Sequence, residues 1–298
     1  ASKVAAMKPR DLAEQILTAL PTVAEISKAE IAGPGFINFF LNADQRYSVL
    51  DLIAEQQDQY GKSSVNAAKK IQVEFVSANP TGPLHIGHAR GAIAGDSLAR
   101  VGKYLGYDIT TEYYINDAGA QMDLLGLSVS LAARDFLFKE DVTYPETYYR
   151  GEYLIDIANV VIEKFGKDII YDEARFKEIA FFSKDLVMEI MIKDLKDLGI
   201  TFDNFVSEKS LYSSWDTTKE VLEKNGSLYS KDEKIYLKST QYGDDSDRVV
   251  VRDNGIPTYL AGDIIYHKNK YDRKFDRYIN IWGADHHGYI PRVKAAVE

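Results

Sequence analysis

The chain has 298 residues, of which 45% are hydrophobic and 27% are charged, and its formal net charge at pH 7 is −9. This composition is that of a globular protein. The net negative charge argues against a protein whose whole surface binds nucleic acid, but it permits a local basic patch. The absence of cysteine excludes disulfides and cysteine-ligated zinc. No apolar run reaches the length of a transmembrane helix, so we expect a cytoplasmic protein without a membrane contact.

The first 62 residues predict part of a small α+β domain. Apolar periodicity predicts a helix over 8–20, a glycine–proline turn precedes a strand that ends at about 41, and a second helix is expected from about 43 to 60. The polar stretch that follows is typical of a linker. We therefore place a domain boundary between residues 62 and 63.

From residue 71 the pattern changes to strand, loop, helix and strand, which is the order of a βαβ unit and predicts a parallel sheet. Helical patterns dominate from about 120 to 245, and strands and helices alternate again near the end. We predict an α/β fold, with a Rossmann-like parallel-sheet domain over 63–298 that is split by this mostly helical insertion. The predicted strands are 71–75, 108–115, 227–231, 234–238, 248–252 and 276–282, and the helices include 86–105 and 258–271.

The loop after the first of these strands is the expected ligand site, because open α/β sheets bind ligands at the carboxyl ends of their strands. Prolines, including Pro83, keep this loop out of a helix until residue 86. Gly87 has no side chain and lets a nucleotide approach the backbone, and the helix start offers free N–H groups and the positive end of a dipole. Pro83 and Gly87 are therefore candidate nucleotide-binding residues.

His85 and His88 lie three residues apart in the first helical turn, so both imidazoles can face one ligand. Their N–H groups suit the charge that develops on phosphoryl oxygens, and we predict that both residues are catalytic. A carboxylate nucleophile is already ionised at neutral pH, so its activation by nucleotidyl transfer needs no general base. The alternatives are two surface histidines, or a zinc site that lacks a third ligand close in sequence.

The segment His85-Ile86-Gly87-His88 resembles the signature of class I aminoacyl-tRNA synthetases. The longer stretch 73–91 is similar to the arginyl-tRNA synthetase family of bacterial type, and residues 8–41 resemble the later half of that family's N-terminal tRNA-contacting domain. Further matches lie at 114–121, 149–153, 198–203 and 282–288.

Two features of that family have no match in the sequence. One is the second class I signature, a lysine-bearing loop, and the other is the helical anticodon-binding domain that follows the catalytic fold. We therefore expect a fragment of a longer enzyme, which holds much of the arginine and ATP pocket but is poorly active by itself.

Three residues indicate an arginine pocket on physical grounds. A guanidinium group needs planar acceptors, ideally carboxylates. Glu74 is a charge in a strand that is expected to be buried on both faces, and Tyr259 and Asp263 are four residues apart on one face of a predicted helix. Two alternatives stay open: Glu74 pairs with a structural lysine or arginine, or Asp263 lies on a solvated helix face.

Position and resemblance together suggest roles within the site. Asp285 follows a predicted strand and precedes a helix, where a carboxylate can accept hydrogen bonds from ribose hydroxyls. Gly283 lets adenine lie against the backbone, and His286 is a nucleotide-binding candidate or a helix cap. The family pattern implies that Glu74, Tyr259 and Asp263 bind the guanidinium and that Ser77, Asn79 and His85 lie nearer the backbone end of the amino acid. It also implies that Asn116, Asp117 and Gln121 form the pocket rim. His88, by its position at the helix start, is also a candidate nucleotide contact.

The function that the resemblance implies is that of an arginine–tRNA ligase. The arginine carboxylate attacks ATP, which is bound as its Mg²⁺ complex, and the arginyl group then passes to tRNA(Arg). We expect a monomer with L-arginine, ATP and tRNA(Arg) as partners, without a metal site or tightly bound cofactor of its own. The alternatives are another nucleotidyltransferase with a His-x-Gly-His segment, or a non-catalytic paralogue that binds tRNA or arginine.

Overall fold

The structure is a computed structural model that describes residues 2–298, apart from the side chains of residues 44–46 and 285. The chain divides into two compact units, with the boundary between Lys62 and Ser63. Within residues 2–298, no helix combines the length and the apolar character that a membrane crossing requires.

The first unit is a two-stranded antiparallel sheet with helices before and after it. The helix that was predicted to reach residue 60 ends at Gln56, because Gln57 has a left-handed φ of 47° that breaks the helical path. The elements are α1 (Ser2–Ala5), α2 (Pro9–Ala19), β1 (Ile26–Ala32), β2 (Phe36–Leu41) and α3 (Ala43–Gln56).

The second unit alternates strands and helices over most of its length. A 3₁₀ segment, Ala284–Tyr289, precedes its last helix. In chain order the elements are β3 (Lys70–Glu74), α4 (Ile86–Tyr104), β4 (Asp108–Ile115), α5 (Ala120–Ala132), α6 (Tyr153–Phe165), α7 (Phe176–Asp197), β5 (Asn204–Ser207), α8 (Glu208–Leu211), α9 (Trp215–Lys224), β6 (Leu228–Lys231), β7 (Lys234–Leu237), β8 (Arg248–Val251), α10 (Tyr259–Asp272), β9 (Arg277–Asn280) and α11 (Ile290–Val297).

A four-stranded parallel sheet in the order β5-β4-β3-β9 forms the centre of the second unit. The predicted βαβ unit of β3, α4 and β4 is confirmed. In the register of this sheet, Glu74 at the end of β3 lies between Glu112 of β4 and Asn280 of β9. Because parallel strands end at one edge of the sheet, the loops after β3, β4 and β9 meet there.

Two features of the sheets differ from the sequence-based expectation. The segment predicted as a helical insertion contains β5, which joins the central sheet beside β4. Only two of its four residues, Phe205 and Val206, are apolar, too few for a strand pattern. The strand predicted at 248–252 is β8, and it belongs to a separate antiparallel sheet in the order β6-β7-β8 rather than to the parallel one.

The helices α5, α6 and α7 pack together and share one hydrophobic core with the central sheet. A second core lies between α10 and the antiparallel sheet. Burying each large aliphatic side chain contributes about 1.5–3 kcal/mol, so these cores fix α10 and the ends of the parallel strands. Fully buried members of the first core include Val73, Leu125, Val129, Val161, Ile179 and Met191.

Candidate active site

The chain turns sharply as it leaves β3. Val76 and Ser77 have left-handed φ values of 65° and 41°, which cost non-glycine residues roughly 1–2 kcal/mol each. The turn brings the Ser77 hydroxyl to Glu74, where it donates a hydrogen bond to Oε1 at 3.2 Å. The same hydroxyl accepts the backbone N–H of Tyr114 at 3.1 Å. Ser77 therefore links β3 to β4 and orients the Glu74 carboxylate.

The two histidines at the start of α4 form a reciprocal cap. The Gly87 N–H donates to His85 Nδ1 at 3.1 Å, the His85 N–H donates to His88 Nδ1 at 3.2 Å, and the rings stack at 3.8 Å. Since each Nδ1 accepts a hydrogen bond, each neutral ring carries its proton on Nε2. Burial and the neighbouring His85 lower the pKa of His88. The helix start thus presents two imidazoles that can donate through Nε2.

A cavity of about 380 Å³ lies where the loops after β3, β4 and β9 meet the first turns of α10. It brings together seven residues that were predicted as site residues. These are Glu74, Ser77, Asn79, Tyr259, Asp263, Gly283 and His286.

Four predicted residues, Pro83, His85, Gly87 and His88, are not among the residues that line this cavity. They lie farther along the loop that leaves β3 and in the first turn of α4. The side chain of Asp285 lies outside the described part of the chain, so its role at a ribose stays a prediction.

Glu74 has a buried cationic partner, Lys270 of α10. Lys270 Nζ donates to Glu74 Oε2 and, at 2.8 Å, to Asn280 Oδ1, and the lysine side chain is 0% exposed. The alternative of a structural lysine is therefore realised. Glu74 nevertheless also lines the cavity, so one carboxylate serves both the fold and the pocket.

Asp263 is the second carboxylate of the cavity, and it is partly buried rather than solvated on a helix face. It accepts a hydrogen bond from the Tyr289 hydroxyl. Desolvation, with the negative charges of Glu208 and Glu74, raises the pKa of Asp263 to about 7. Near neutral pH this group is therefore poised to lose a proton when a cation enters the cavity.

Comparison with known families assigns the chain. A family model described as "tRNA synthetases class I (R), catalytic domain" matches residues 49–298, and one described as "Arginyl tRNA synthetase N terminal domain" matches residues 1–41. The chain belongs to the class I arginyl-tRNA synthetase family.

Relatives within this family cover nearly all of the chain. An arginine–tRNA ligase of Aliarcobacter butzleri (strain RM4018) is 70% identical over 290 residues, which are 97% of this chain and 54% of the relative. One of Campylobacter curvus (strain 525.92) is 55% identical over 263 residues, which are 88% of this chain and 50% of the relative. The chain thus spans about half the length of the curated relatives it matches.

Solved structures agree with this fold. A crystal structure titled as a putative arginyl-tRNA synthetase from Campylobacter jejuni matches with a TM-score of 0.81 and 45% identity, over 86% of this chain and 57% of that one. The Thermus thermophilus arginyl-tRNA synthetase matches with a TM-score of 0.58 at 19% identity, over 89% of this chain and 45% of that one, which supports the fold alone.

Several residues that line the cavity or contact its lining were missed by the sequence reading. Tyr266 and His267 stand three and four positions after Asp263 on α10, and Lys270 follows at seven. A helical spacing from Asp263 therefore contained the signal for all three. Of the others, Tyr114 and Trp282 lie in the matched stretches 114–121 and 282–288 but were given no role, and no comparable pattern marks Tyr289.

These additional residues make the pocket wall aromatic and neutral. The rings of Tyr114 and Tyr266 stack at 4.2 Å. Burial, with the charge of Lys270, lowers the pKa of His267 to about 4, so its ring is uncharged at neutral pH. His267 bridges the Asp263 carbonyl oxygen and the side chain of Asn280 at 2.8 and 3.2 Å. The pocket therefore joins two carboxylates to a neutral aromatic wall.

The residues predicted at the pocket rim divide into two groups. Asn116 lines the cavity, and the Gln121 side chain donates to its Oδ1. Asp117 is buried and accepts hydrogen bonds from the Ser207 hydroxyl and the Lys209 N–H, so it joins the end of β4 to the start of α8.

Proposed function

We propose that this chain forms the amino-acid-activating site of an arginine–tRNA ligase. The arginine carboxylate attacks the α-phosphorus of ATP, pyrophosphate leaves with the electrons of the broken P–O bond, and arginyl-adenylate is formed. The arginyl group then passes to the terminal ribose of tRNA(Arg) and AMP leaves. The observation that carries the proposal is the cavity in which Glu74 and Asp263 face one space beside aromatic walls.

The cavity suits a planar cation. Glu74 and Asp263 provide carboxylate oxygens for the forked N–H groups of a guanidinium. The aromatic ring of Tyr259 lines the same space and offers a face for cation–π contact. Gly119 leaves room for this tyrosine, since a Cβ there would lie 2.6 Å from its hydroxyl oxygen. Ser77 and Asn79, on the loop after β3, are placed to contact the backbone end of the amino acid.

The start of α4 suits the nucleotide. His85 and His88 donate from Nε2 to phosphoryl oxygens, together with the free N–H groups of the first helical turn. Removing one such donor typically costs on the order of 3 kcal/mol of transition-state stabilisation. Pro83 and Gly87 shape the approach to this turn, while Gly283, Asp285 and His286 bind the nucleoside. ATP enters as its Mg²⁺ complex, which is a substrate rather than a resident cofactor.

The decision against another His-x-Gly-His nucleotidyltransferase rests on the family match over residues 49–298. We propose that the protein acts in the cytoplasm as a monomer, with tRNA(Arg) as its macromolecular partner. The segment that matches the N-terminal domain, residues 1–41, is proposed to contact that tRNA.

Calorimetric titration of the chain with L-arginine and with L-citrulline tests the substrate. Citrulline keeps the size of the side chain but replaces the guanidinium with a neutral urea group. We expect arginine to bind at least tenfold more tightly, because the two pocket carboxylates need a cation. Binding of citrulline as tightly as arginine would contradict the proposal.

Paired variants assign that binding to the cavity. Glu74→Gln is expected to reduce arginine affinity. Glu178→Gln removes an exposed carboxylate that pairs with Arg175 on the helical side, and it is expected to leave the affinity unchanged. Equal effects of the two substitutions would place the arginine site elsewhere.

A further inference from the structure

The loop between β3 and α4, which leads to His85, accepts hydrogen bonds from two tyrosine hydroxyls outside the loop. Tyr153, the first residue of α6, donates to the carbonyl oxygen of Thr81 at 2.6 Å. Tyr113 of β4 donates to the carbonyl oxygen of Ala78 at 2.9 Å. Tyr113 and Thr81 are buried, and a buried carbonyl needs such a donor. The loop backbone is therefore held at Ala78 by a residue of the central sheet and at Thr81 by the first residue of α6.

The ring of Tyr153 packs closely on the loop. A Cβ at Gly82 would lie 3.2 Å from the Tyr153 hydroxyl oxygen and 3.4 Å from Cζ. Gly151 has a φ of 144°, and a Cβ there would lie 2.7 Å from the same ring. Both glycines thus make room for one aromatic side chain. Gly151 and Tyr153 both lie in the stretch 149–153 that resembles the family, and the ring of Tyr153 fits only because residue 151 is a glycine.

The hydroxyl of Tyr153 remains a donor at neutral pH. Burial, with the nearby Tyr149, raises its pKa to about 12. Tyr153 also packs against the main hydrophobic core, so α6 holds its ring in place. Helix α4 begins five residues after Thr81, and its first turn carries the cap that His85, Gly87 and His88 form. A shift of the Thr81 backbone therefore moves the histidines.

We propose that Tyr153 is a positioning residue for the nucleotide: its hydroxyl fixes the loop before α4 so that His85 and His88 meet the phosphates in one geometry. The inference rests on the proposed function for the identity of the ligand, but the clamp on the loop does not. Tyr113 acts at the other end of the loop, next to Asn79 and the arginine cavity. The helical segment thereby takes part in the site although Tyr153 does not line the arginine cavity.

Tyr153→Phe removes the hydroxyl and keeps the ring that packs on Gly82. In the ligand-free chain, we expect amide hydrogen exchange over residues 79–88 to become about fivefold faster, the size of one lost neutral hydrogen bond. We expect the affinity for MgATP to fall about fivefold and that for L-arginine to stay unchanged. Gly82→Ala, which pushes on the same hydroxyl, should show the same pattern.

Tyr171→Phe is the matched control, because it removes a hydroxyl that bonds Glu140 on the helical side and lies away from the loop. It should change neither loop exchange nor either affinity. An equal loss of arginine and MgATP affinity in Tyr153→Phe, or a loosened loop with unchanged MgATP affinity, overturns the inference. If the unaltered chain binds no MgATP, the proposed function fails. Hydrogen exchange then decides alone whether Tyr153 holds the loop. Unchanged protection of residues 79–88 in Tyr153→Phe would show that it does not.

Discussion

Glu74 and Lys270 form a buried ion pair between residues 196 positions apart in the chain. Lys270 Nζ also lies 4.2 Å from the centroid of the Tyr266 ring, so its charge is balanced on two sides. In the next strand, Glu112 is paired with Arg273, which directly follows α10. Two acids in adjacent register positions of the sheet are thus each neutralised by a cation at the C-terminal end of α10 or directly after it. This arrangement lets the pocket keep Glu74 buried before any substrate binds.

Lys270→Met should lower the free energy of unfolding by about 3–5 kcal/mol, because it leaves the Glu74 carboxylate buried without its cation. Urea unfolding followed by circular dichroism measures this. Lys193→Met is the control, since it breaks an exposed pair with Asp197 that solvent screens and should leave the stability nearly unchanged.

Combining Lys270→Met with Glu74→Gln should recover much of the lost stability, because no uncompensated charge then remains. If Lys270→Met destabilises the chain no more than Lys193→Met does, the ion pair is not what holds α10 to the sheet.

Arginine affinity should depend on pH through Asp263. The pKa of Asp263 is raised to about 7, and a bound cation lowers it. Above this value the group is already ionised; below it, arginine must displace a proton, so affinity falls. Between pH 8 and pH 6 we expect a loss of about tenfold. Calorimetry at pH 7 in buffers of different ionisation enthalpy should show proton release.

Two variants separate Asp263 from its neighbours in this experiment. Asp263→Asn should bind arginine more weakly and without dependence on pH between 6 and 8. Glu208 is a buried carboxyl whose pKa is also raised by burial, so Glu208→Gln tests its share. His267 does not contribute, because its pKa of about 4 lies below this range. A pH dependence that survives Asp263→Asn would assign the titration to another group.

Sequence patterns predicted the bounds of individual strands and helices well, but they predicted poorly which strands pair in a sheet. The strand expected over 108–115 has those bounds in the structure, and the helix expected over 86–105 ends one residue earlier, at Tyr104. In contrast, β5 is short and only half apolar, so the central sheet holds it by pairing with β4 rather than by its own pattern. Periodicity reports burial along one element, whereas sheet order depends on contacts between elements.

The candidate site shows the same division. Glu74 stands out because a charge in a strand predicted to be buried needs a partner, and Asp263 because it shares a helix face with Tyr259. Nothing near Glu74 in sequence indicates that Lys270 is its partner, and nothing near Thr81 indicates that Tyr153 holds it. Both contacts form only after α6 and α10 are packed, because each joins residues far apart in the chain.

Two glycines of α4 should respond in opposite ways to alanine. A Cβ at Gly95 would lie 2.2 Å from the Phe75 ring, which packs α4 onto β3. Gly95→Ala should therefore lower the free energy of unfolding by about 1–3 kcal/mol. Nothing lies within 4 Å of a Cβ at Gly91. Gly91→Ala should then raise stability by up to about 1 kcal/mol, because alanine is the better helix former.

Thermal and urea unfolding of both variants measure the difference in the free energy of unfolding. Each variant is a control for the other, because the two positions lie one turn apart in the same helix. The opposite signs test the packing of α4 on β3, on which the position of the histidine turn depends. If Gly95→Ala is as stable as Gly91→Ala, α4 does not lie against Phe75 as described. The histidine turn at the start of α4 would then have a different relation to the cavity that Glu74 and Asp263 line.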